Sequence, residues 1–173
     1  MRSELRLNAD AYIGLGANLG TPRKTFENSL DLISQFANLE KVSRLYQSAP
    51  FGFSEQPPFV NSAAHIKTEL SPTELLTKLQ EVEKKLGKKF ICENGPRIID
   101  LDLLIYGELS LETEDLTIPH PGILSRDFVL LPLFDLNPEL SHPDWGVKTL
   151  KSALGGLQKR FIEDNPEDWN YPN

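Results

Sequence analysis

The spacing of apolar positions changes several times along this chain, and each change marks an element. From Pro22 onward, Phe26, Leu30, Ile33 and Ala37 recur every three or four residues. This spacing predicts an amphipathic helix of about four turns. Thr21 is suited to cap it, with Pro22 at its first position. A second helix has a stronger start, Ser71-Pro72-Thr73-Glu74: a cap, a proline at the first position and a glutamate three residues after the cap. Leu75, Leu79, Val82 and Leu86 form its apolar stripe and Gly87 ends it. Glu83 falls off that stripe in the last turn, where a carboxylate opposes the helix dipole; a functional role and a lysine salt bridge both account for it.

Outside these helices the period shortens to two. Residues 12–15 form a short apolar strand candidate running into Gly14-Leu15-Gly16-Ala17-Asn18-Leu19-Gly20. The third glycine of that turn falls one place late for a dinucleotide fingerprint, so a plain strand-to-helix turn is the simpler reading. Residues 39–47 alternate imperfectly and are read as a second strand. Residues 48–58 form a loop with Pro50, Gly52, Pro57 and Pro58, too long for a tight turn. In the strand 59–68, Phe59, Asn61, Ala63 and His65 share one face, and Val60, Ser62, Ala64 and Ile66 the other. After a lysine-bearing loop, Gly95-Pro96 turns the chain into another strand. There Ile98, Asp100 and Asp102 share a face, while Ile99, Leu101 and Leu103 take the opposite one.

The resulting order is strand, helix, strand, strand, helix, strand. That is the split βαβ order of a ferredoxin-like α+β fold, with a mainly antiparallel sheet and helices on one face. An acidic loop then leads to Pro119-His120-Pro121, where flanking prolines hold His120 in extended backbone. Residues 129–136 are apolar but interrupted by Pro132, and residues 148–157 form a short helix candidate. One domain over residues 1–173 is expected, with residues 1–10 and 163–173 as loosely held tails.

Composition narrows the function. No apolar run approaches the ~20 residues of a membrane span, and the start lacks the apolar core of a signal peptide. The lone Cys92 can neither close an internal disulfide nor build a multi-cysteine metal site. A cytoplasmic protein without membrane contact is expected. A net charge of −7 argues against nucleic acid as a partner. Positive charge is nonetheless concentrated at Lys84, Lys85, Lys88 and Lys89.

Asp100 and Asp102 are the centre of the candidate chemistry. Two carboxylates side by side need a positive group between them, and an all-oxygen site favours Mg²⁺, Ca²⁺ or Mn²⁺ over zinc. Arg97, just before them, could meet phosphate with its fork of donors. The plain alternative is a solvated edge strand. Likewise Phe59 and Asn61 could stack on a flat heterocycle and bond its edge, or serve as a core ring and a turn amide. His65 and His142 have no supporting context and receive no role.

Four motifs stand in order: Gly14-x-Gly16-Ala17-Asn18-Leu19, Phe59-Val60-Asn61, Gly95-Pro96-Arg97-x-x-Asp100-x-Asp102, and Pro119-His120 with Arg126-x-Phe128. Together, over about residues 11–140, they resemble the 6-hydroxymethyl-7,8-dihydropterin pyrophosphokinases. The resemblance implies transfer of the β,γ-pyrophosphoryl group of ATP to the pterin hydroxymethyl oxygen, a step in folate biosynthesis, with two Mg²⁺ ions on Asp100 and Asp102. By the same resemblance Arg97 and Lys88 assist catalysis, and Glu83, Arg97, Ile98, His120 and Arg126 contact ATP. Gly16, Ser48, Phe51, Phe59, Asn61, Asp100 and Phe128 would receive the pterin, the two rings Phe59 and Phe128 sandwiching it. A folate-pathway enzyme is a further possible partner.

Departures from the family pattern fall in Lys88-Lys89-Phe90-Ile91-Cys92-Glu93-Asn94, where relatives commonly carry arginines and an aromatic residue, and in Ser48-Ala49-Pro50-Phe51. Two rivals follow: a pterin- or nucleotide-binding module with weakened catalysis, and a Mg²⁺-dependent phosphohydrolase. The latter would need its Asp-x-Asp strand near the N-terminus of a doubly wound fold.

Overall fold

The computed structural model describes residues 8–169 and 171. The elements are β1 (Ala9–Ala17), α1 (Pro22–Ile33), β2 (Asn38–Val42), β3 (Tyr46–Ser48), β4 (Phe59–Thr68), α2 (Pro72–Lys85) and β5 (Asp100–Tyr106). The short pair β6 (Leu111–Glu112) and β7 (Thr117–Ile118) follows, then α3 (Asp127–Leu136), a 3-10 turn at Pro143–Trp145 and α4 (Leu150–Gly155). The main sheet runs β2-β4-β1-β5 with every pair antiparallel, and β3 also pairs with β4. This is the expected ferredoxin-like arrangement; a doubly wound parallel sheet, which the phosphohydrolase reading needs, is not what these residues build.

One face of the sheet presents Ile13, Leu15, Ala64, Ile66, Leu101 and Leu103 to Phe26, Leu30 and Ile33 of α1 and Leu75 and Leu79 of α2. The start of α2 has the anticipated reciprocal cap: Ser71 Oγ accepts from the Glu74 N–H at 3.3 Å, and Glu74 Oε2 accepts from the Ser71 N–H at 2.8 Å. Thr21 differs. Its side chain makes no cap hydrogen bond, and its carbonyl instead accepts from Thr25.

Helices also cover the opposite face, contrary to the one-face expectation. Tyr12, Ala63, Leu104 and Ile105 pack there against Ile123, Leu130, Leu133 and Leu136. Most of that cover is α3, hidden in the sequence because Pro132 reads as a helix breaker. Pro132 withholds one N–H from the carbonyl four residues back, and burial of three leucines outweighs that loss. α3 shields only part of this face. Beyond it, Gly14 and Gly16 of β1 and their neighbours floor an open cleft.

The strand expected over residues 39–47 is two strands. Val42 pairs with Ala64 and Tyr46 with Asn61, so the β2–β3 side carries one extra residue. Ser43 fills the break: its Oγ lies 3.0 Å from Ser62 Oγ and accepts from the Ala63 N–H at 2.9 Å.

The expected tails also differ. Residues 1–7 lie outside the described residues, but Ala9 and Asp10 already belong to β1. At the other end residues 170, 172 and 173 lie outside the described residues, but the rest of the expected tail is packed. Glu163 and Glu167 donate backbone hydrogen bonds to Gln47 and Leu45, Trp169 is buried with its Nε1–H on the Ser43 carbonyl at 2.7 Å, and the Tyr171 hydroxyl lies 2.6 Å from Asp31. Acidic composition masked these aromatic anchors. Among the described residues, no helix is long and apolar enough to cross a membrane.

Candidate active site

The sheet register assembles the cleft. Gly16 lies between Asn61 of β4 and Asp100 of β5, and Gly14 between Ala63 and Asp102. Directly opposed residues of an antiparallel pair share a face, so Asn61 and both aspartates stand on one surface with only hydrogen between them at the glycines. A Cβ on Gly16 would meet Asn61 Oδ1 at 3.7 Å, without strain; glycine here keeps the floor flat rather than enabling unusual backbone. Ser48 pairs with Phe59 on the next strand over. The lining includes Ser48, Phe51, Phe59, Asn61, Arg97, Asp100, Asp102 and Phe128. Of the residues the sequence assigned to the pterin, every one is here.

Asn61 is oriented before any ligand arrives. Its Nδ2 donates to the Tyr46 carbonyl at 3.1 Å and to Ser48 Oγ at 2.8 Å. A carbonyl can only accept, so the amide nitrogen must face it and Oδ1 is left as an acceptor beside Gly16.

The two carboxylates have opposite surroundings. Lys88 Nζ lies 2.5 Å from Asp100 Oδ1 and 2.9 Å from Glu83 Oε1, and Arg97 Nε lies 3.1 Å from Asp100 Oδ2. Arg97 also spreads its guanidinium over the Phe59 ring at 4.7 Å. The Asp102 carboxylate makes no hydrogen bond or close ion pair among the described residues. Crowding by protein, then the charges of Asp100 and Glu83, push its carboxyl up to about 7. Water still reaches it, because it stands on the floor of an open cleft. No cluster of three or more His, Cys, Asp or Glu groups suited to a metal exists among the described residues. Two oxygen donors of which one is unpartnered do fit Mg²⁺, which keeps water and substrate oxygens for the rest of its shell.

Glu83 does not reach the cleft. It is buried, its Oε1 accepting from the Leu101 N–H at 2.7 Å as well as from Lys88, so it braces the end of α2 against the start of β5. Burial raises its pKa, partly offset by the Leu101 N–H and by Lys88. Ile98 lies outside the cleft too. The strand begins only at Asp100, so alternation does not extend back to Ile98, whose side chain packs on the main core near Gly20. Sequence reasoning missed Asn18 as a positioning group. Its Oδ1 accepts from the Arg97 N–H at 2.9 Å, and its Nδ2 donates to Gln56 Oε1 and to the Pro57 carbonyl, both at 2.9 Å. An amide inside a glycine turn was the available signal.

The aspartates mark a junction of three hollows. Asp100 lines both the cleft and a basic hollow formed by residues 88–97, and Asp102 lines both the cleft and a hollow along the free edge of β5 that contains Leu76, Glu114, Thr117 and His120. Arg126 lines none of these and stacks its guanidinium 4.2 Å above the Phe51 ring. His120 Nδ1 accepts from the Gly122 N–H at 3.0 Å, leaving Nε2 as the donor. Burial, then the Arg126 charge, hold the His120 pKa below its ordinary 6.5. An NMR titration of its ring should therefore show a midpoint below 6.5. The unfolded chain binds the proton more readily, so His120's contribution to stability is complete above 6.5 and is lost as pH falls through the folded value. A midpoint above 6.5 would contradict the buried setting.

Paired carboxylates between an aromatic slot and a basic hollow, on a ferredoxin-like sheet, define the class: an enzyme that joins a flat substrate to an anionic one. A family model described as 7,8-dihydro-6-hydroxymethylpterin-pyrophosphokinase matches residues 12–138, and the chain belongs to that family. It is 43% identical over 136 residues to the 2-amino-4-hydroxy-6-hydroxymethyldihydropteridine pyrophosphokinase of Haemophilus influenzae, covering 78% of this chain and 85% of the relative. It is 41% identical over 149 residues to the folic acid synthesis protein fol1 of Pneumocystis carinii, covering 85% of this chain but spanning only 20% of that longer polypeptide. Among solved structures, wild-type Plasmodium falciparum HPPK-DHPS with pteroate superposes with a TM-score of 0.71 at 16% identity, over 87% of this chain and 42% of that one.

Proposed function

We infer that this chain transfers the β,γ-pyrophosphoryl group of ATP to the hydroxymethyl oxygen of 6-hydroxymethyl-7,8-dihydropterin, releasing AMP in a step of folate biosynthesis. The observation that carries this reading is the position of Asp100 and Asp102 where the slot meets the two flanking hollows. A pterin in the slot and a triphosphate entering from the basic side meet at these carboxylates.

The pterin lies between Phe59 and Phe128 over the glycine floor, with Phe51 as a further wall. Asn61 Oδ1 accepts from the ring's N–H edge, and Ser48, held by that same amide, steadies it. Arg97 and Lys88 exchange Asp100 for phosphate oxygens and neutralise the transferring group. His120 offers its Nε2–H to the nucleotide from the β5 edge, and Arg126 offers a guanidinium from above Phe51. Glu83 acts through Lys88 and the backbone of Leu101. Asp100 and Asp102 would hold two Mg²⁺ ions, which would supply charge neutralisation for the phosphates and a lowered pKa for the hydroxyl. Asp102 is the nearest acceptor for its proton. The fused architecture of the Plasmodium relative supports a folate-pathway enzyme as a partner.

Purified protein with ATP, Mg²⁺ and the hydroxymethyl pterin should yield AMP and pterin pyrophosphate in equal amounts. ADP as the nucleotide product would overturn the reading. Tight nucleotide binding without turnover would favour the catalytically lapsed module. Within the slot, Asn61→Leu removes the edge acceptor at similar size. It should raise the pterin KM about ten- to a hundredfold and leave the ATP KM unchanged in steady-state kinetics, the cost of an unmet buried hydrogen bond. Equal changes in both constants would remove Asn61 from the pterin edge.

A further inference from the structure

Phe161 lies beyond residues 12–138, in a segment whose composition suggested nothing about the site. Its ring is buried and joins two walls of the slot. It stands 5.5 Å from Phe128 at an interplanar angle of 89° and 5.7 Å from Phe51 at 55°, while Phe51 and Phe128 are 6.2 Å apart. The backbone of Phe161 is tied beside each wall as well. Its N–H donates to Asp127 Oδ2 at 2.8 Å, one residue before Phe128, and its carbonyl accepts from the Ala49 N–H at 2.7 Å, two residues before Phe51. Asp127 is fully buried and accepts a second bond from the Ile162 N–H at 3.0 Å. Lys159 Nζ lies 4.7 Å from the Phe161 ring. The segment itself is anchored on β3 through the Ser48–Ile162 bridge and the Glu163–Gln47 bond.

We propose that Phe161 is a positioning residue for the pterin, fixing the tilt and spacing of Phe128 and Phe51 so that the C-terminal segment shapes the slot. The proposal rests on reading Phe128 as one wall of that slot. Neither wall is held well by its own element. Phe51 sits on a long, proline-bearing loop and is 37% exposed, and Phe128 is only the second residue of α3. An edge-to-face partner restricts ring rotation because the positive edge of one ring seeks the negative face of the other. A wall already fixed does not have to be ordered when the ligand enters, so the stacking energy goes into affinity. Among the described residues, no ring within residues 12–138 meets both Phe51 and Phe128 in this way.

The test is steady-state kinetics and equilibrium pterin binding for Phe161→Leu, Phe161→Ala, Phe128→Ala and the double variant Phe128→Ala/Phe161→Ala, with thermal unfolding to verify folding. Phe161→Leu keeps apolar bulk but removes the ring, and it decides the matter if the alanine variant does not fold. The pterin KM and Kd should rise about three- to tenfold in Phe161→Leu, the range of one aromatic pair, while the ATP KM stays in place. In the double variant, removing Phe161 should cost little beyond Phe128→Ala alone. An unchanged pterin KM in a folded Phe161→Leu enzyme, or fully additive losses, would overturn the role of Phe161 with the slot reading intact. No loss of pterin affinity in Phe128→Ala would instead overturn the slot reading and the proposal with it.

Discussion

Asp102→Asn is expected to leave a folded protein that has lost on the order of 10²–10⁴-fold in kcat. The side chain is nearly isosteric and the Asp102 carboxylate has no hydrogen bond or close ion pair to lose among the described residues. What disappears is a negative charge held beside Asp100 and Glu83 against burial, the causes that push its carboxyl up to about 7. Thermal stability should therefore stay level or rise while Mg²⁺-dependent nucleotide binding falls. That combination separates a functional carboxylate from a structural one, since natural sites retain such unfavourable groups where activity requires them. The measurements are initial rates of AMP formation at saturating ATP and Mg²⁺, nucleotide binding with and without the metal, and Tm. Near-normal turnover would eliminate Asp102 as metal ligand and proton acceptor together.

Trp169→Ala is expected to destabilise the fold by about 3–5 kcal/mol, the range for deleting a large buried aromatic. Trp169 stands edge-on to Phe26 of α1 at 6.3 Å, and its Nε1–H satisfies the Ser43 carbonyl at the break between β2 and β3. The substitution opens a cavity in the main core and leaves that carbonyl without its indole donor. It also loosens a segment bridged to Leu45, just before β3, and to Ser48, the latter lining the slot. Chemical denaturation should show the loss as a lower midpoint with an unchanged slope. A change below about 0.5 kcal/mol, the ordinary scale of a surface substitution, would mean that the C-terminal segment is not part of the cooperative fold.

The sequence was most legible where local rules and tertiary packing agree. The strand 59–68 and the start of α2 are where the periodicity put them, because alternation and a capping box are local events. Pairing of Asp100 with Asp102 on one face was legible for the same reason, strand geometry having a period of two. Local signals misled at Pro132, where the breaker rule is overridden by a buried leucine face, and at Ile98, where alternation was extended past the strand's first residue. Glu83 shows a different limit. Its misfit on the apolar stripe was visible, but its partner, the Leu101 N–H, comes from another element.

Residue types and spacing alone thus determined the order of helices and strands up to β5 apart from the break at Ser43, the sheet class, the acidic pair and the aromatic-amide pair, all set by short-range stereochemistry. The tertiary structure decided what stands between them: the glycine floor joining Asn61 to Asp100, the unequal surroundings of the two aspartates, and the C-terminal segment closing on Phe51 and Phe128. These depend on strand register and on contacts between residues far apart in the chain, which no local periodicity encodes.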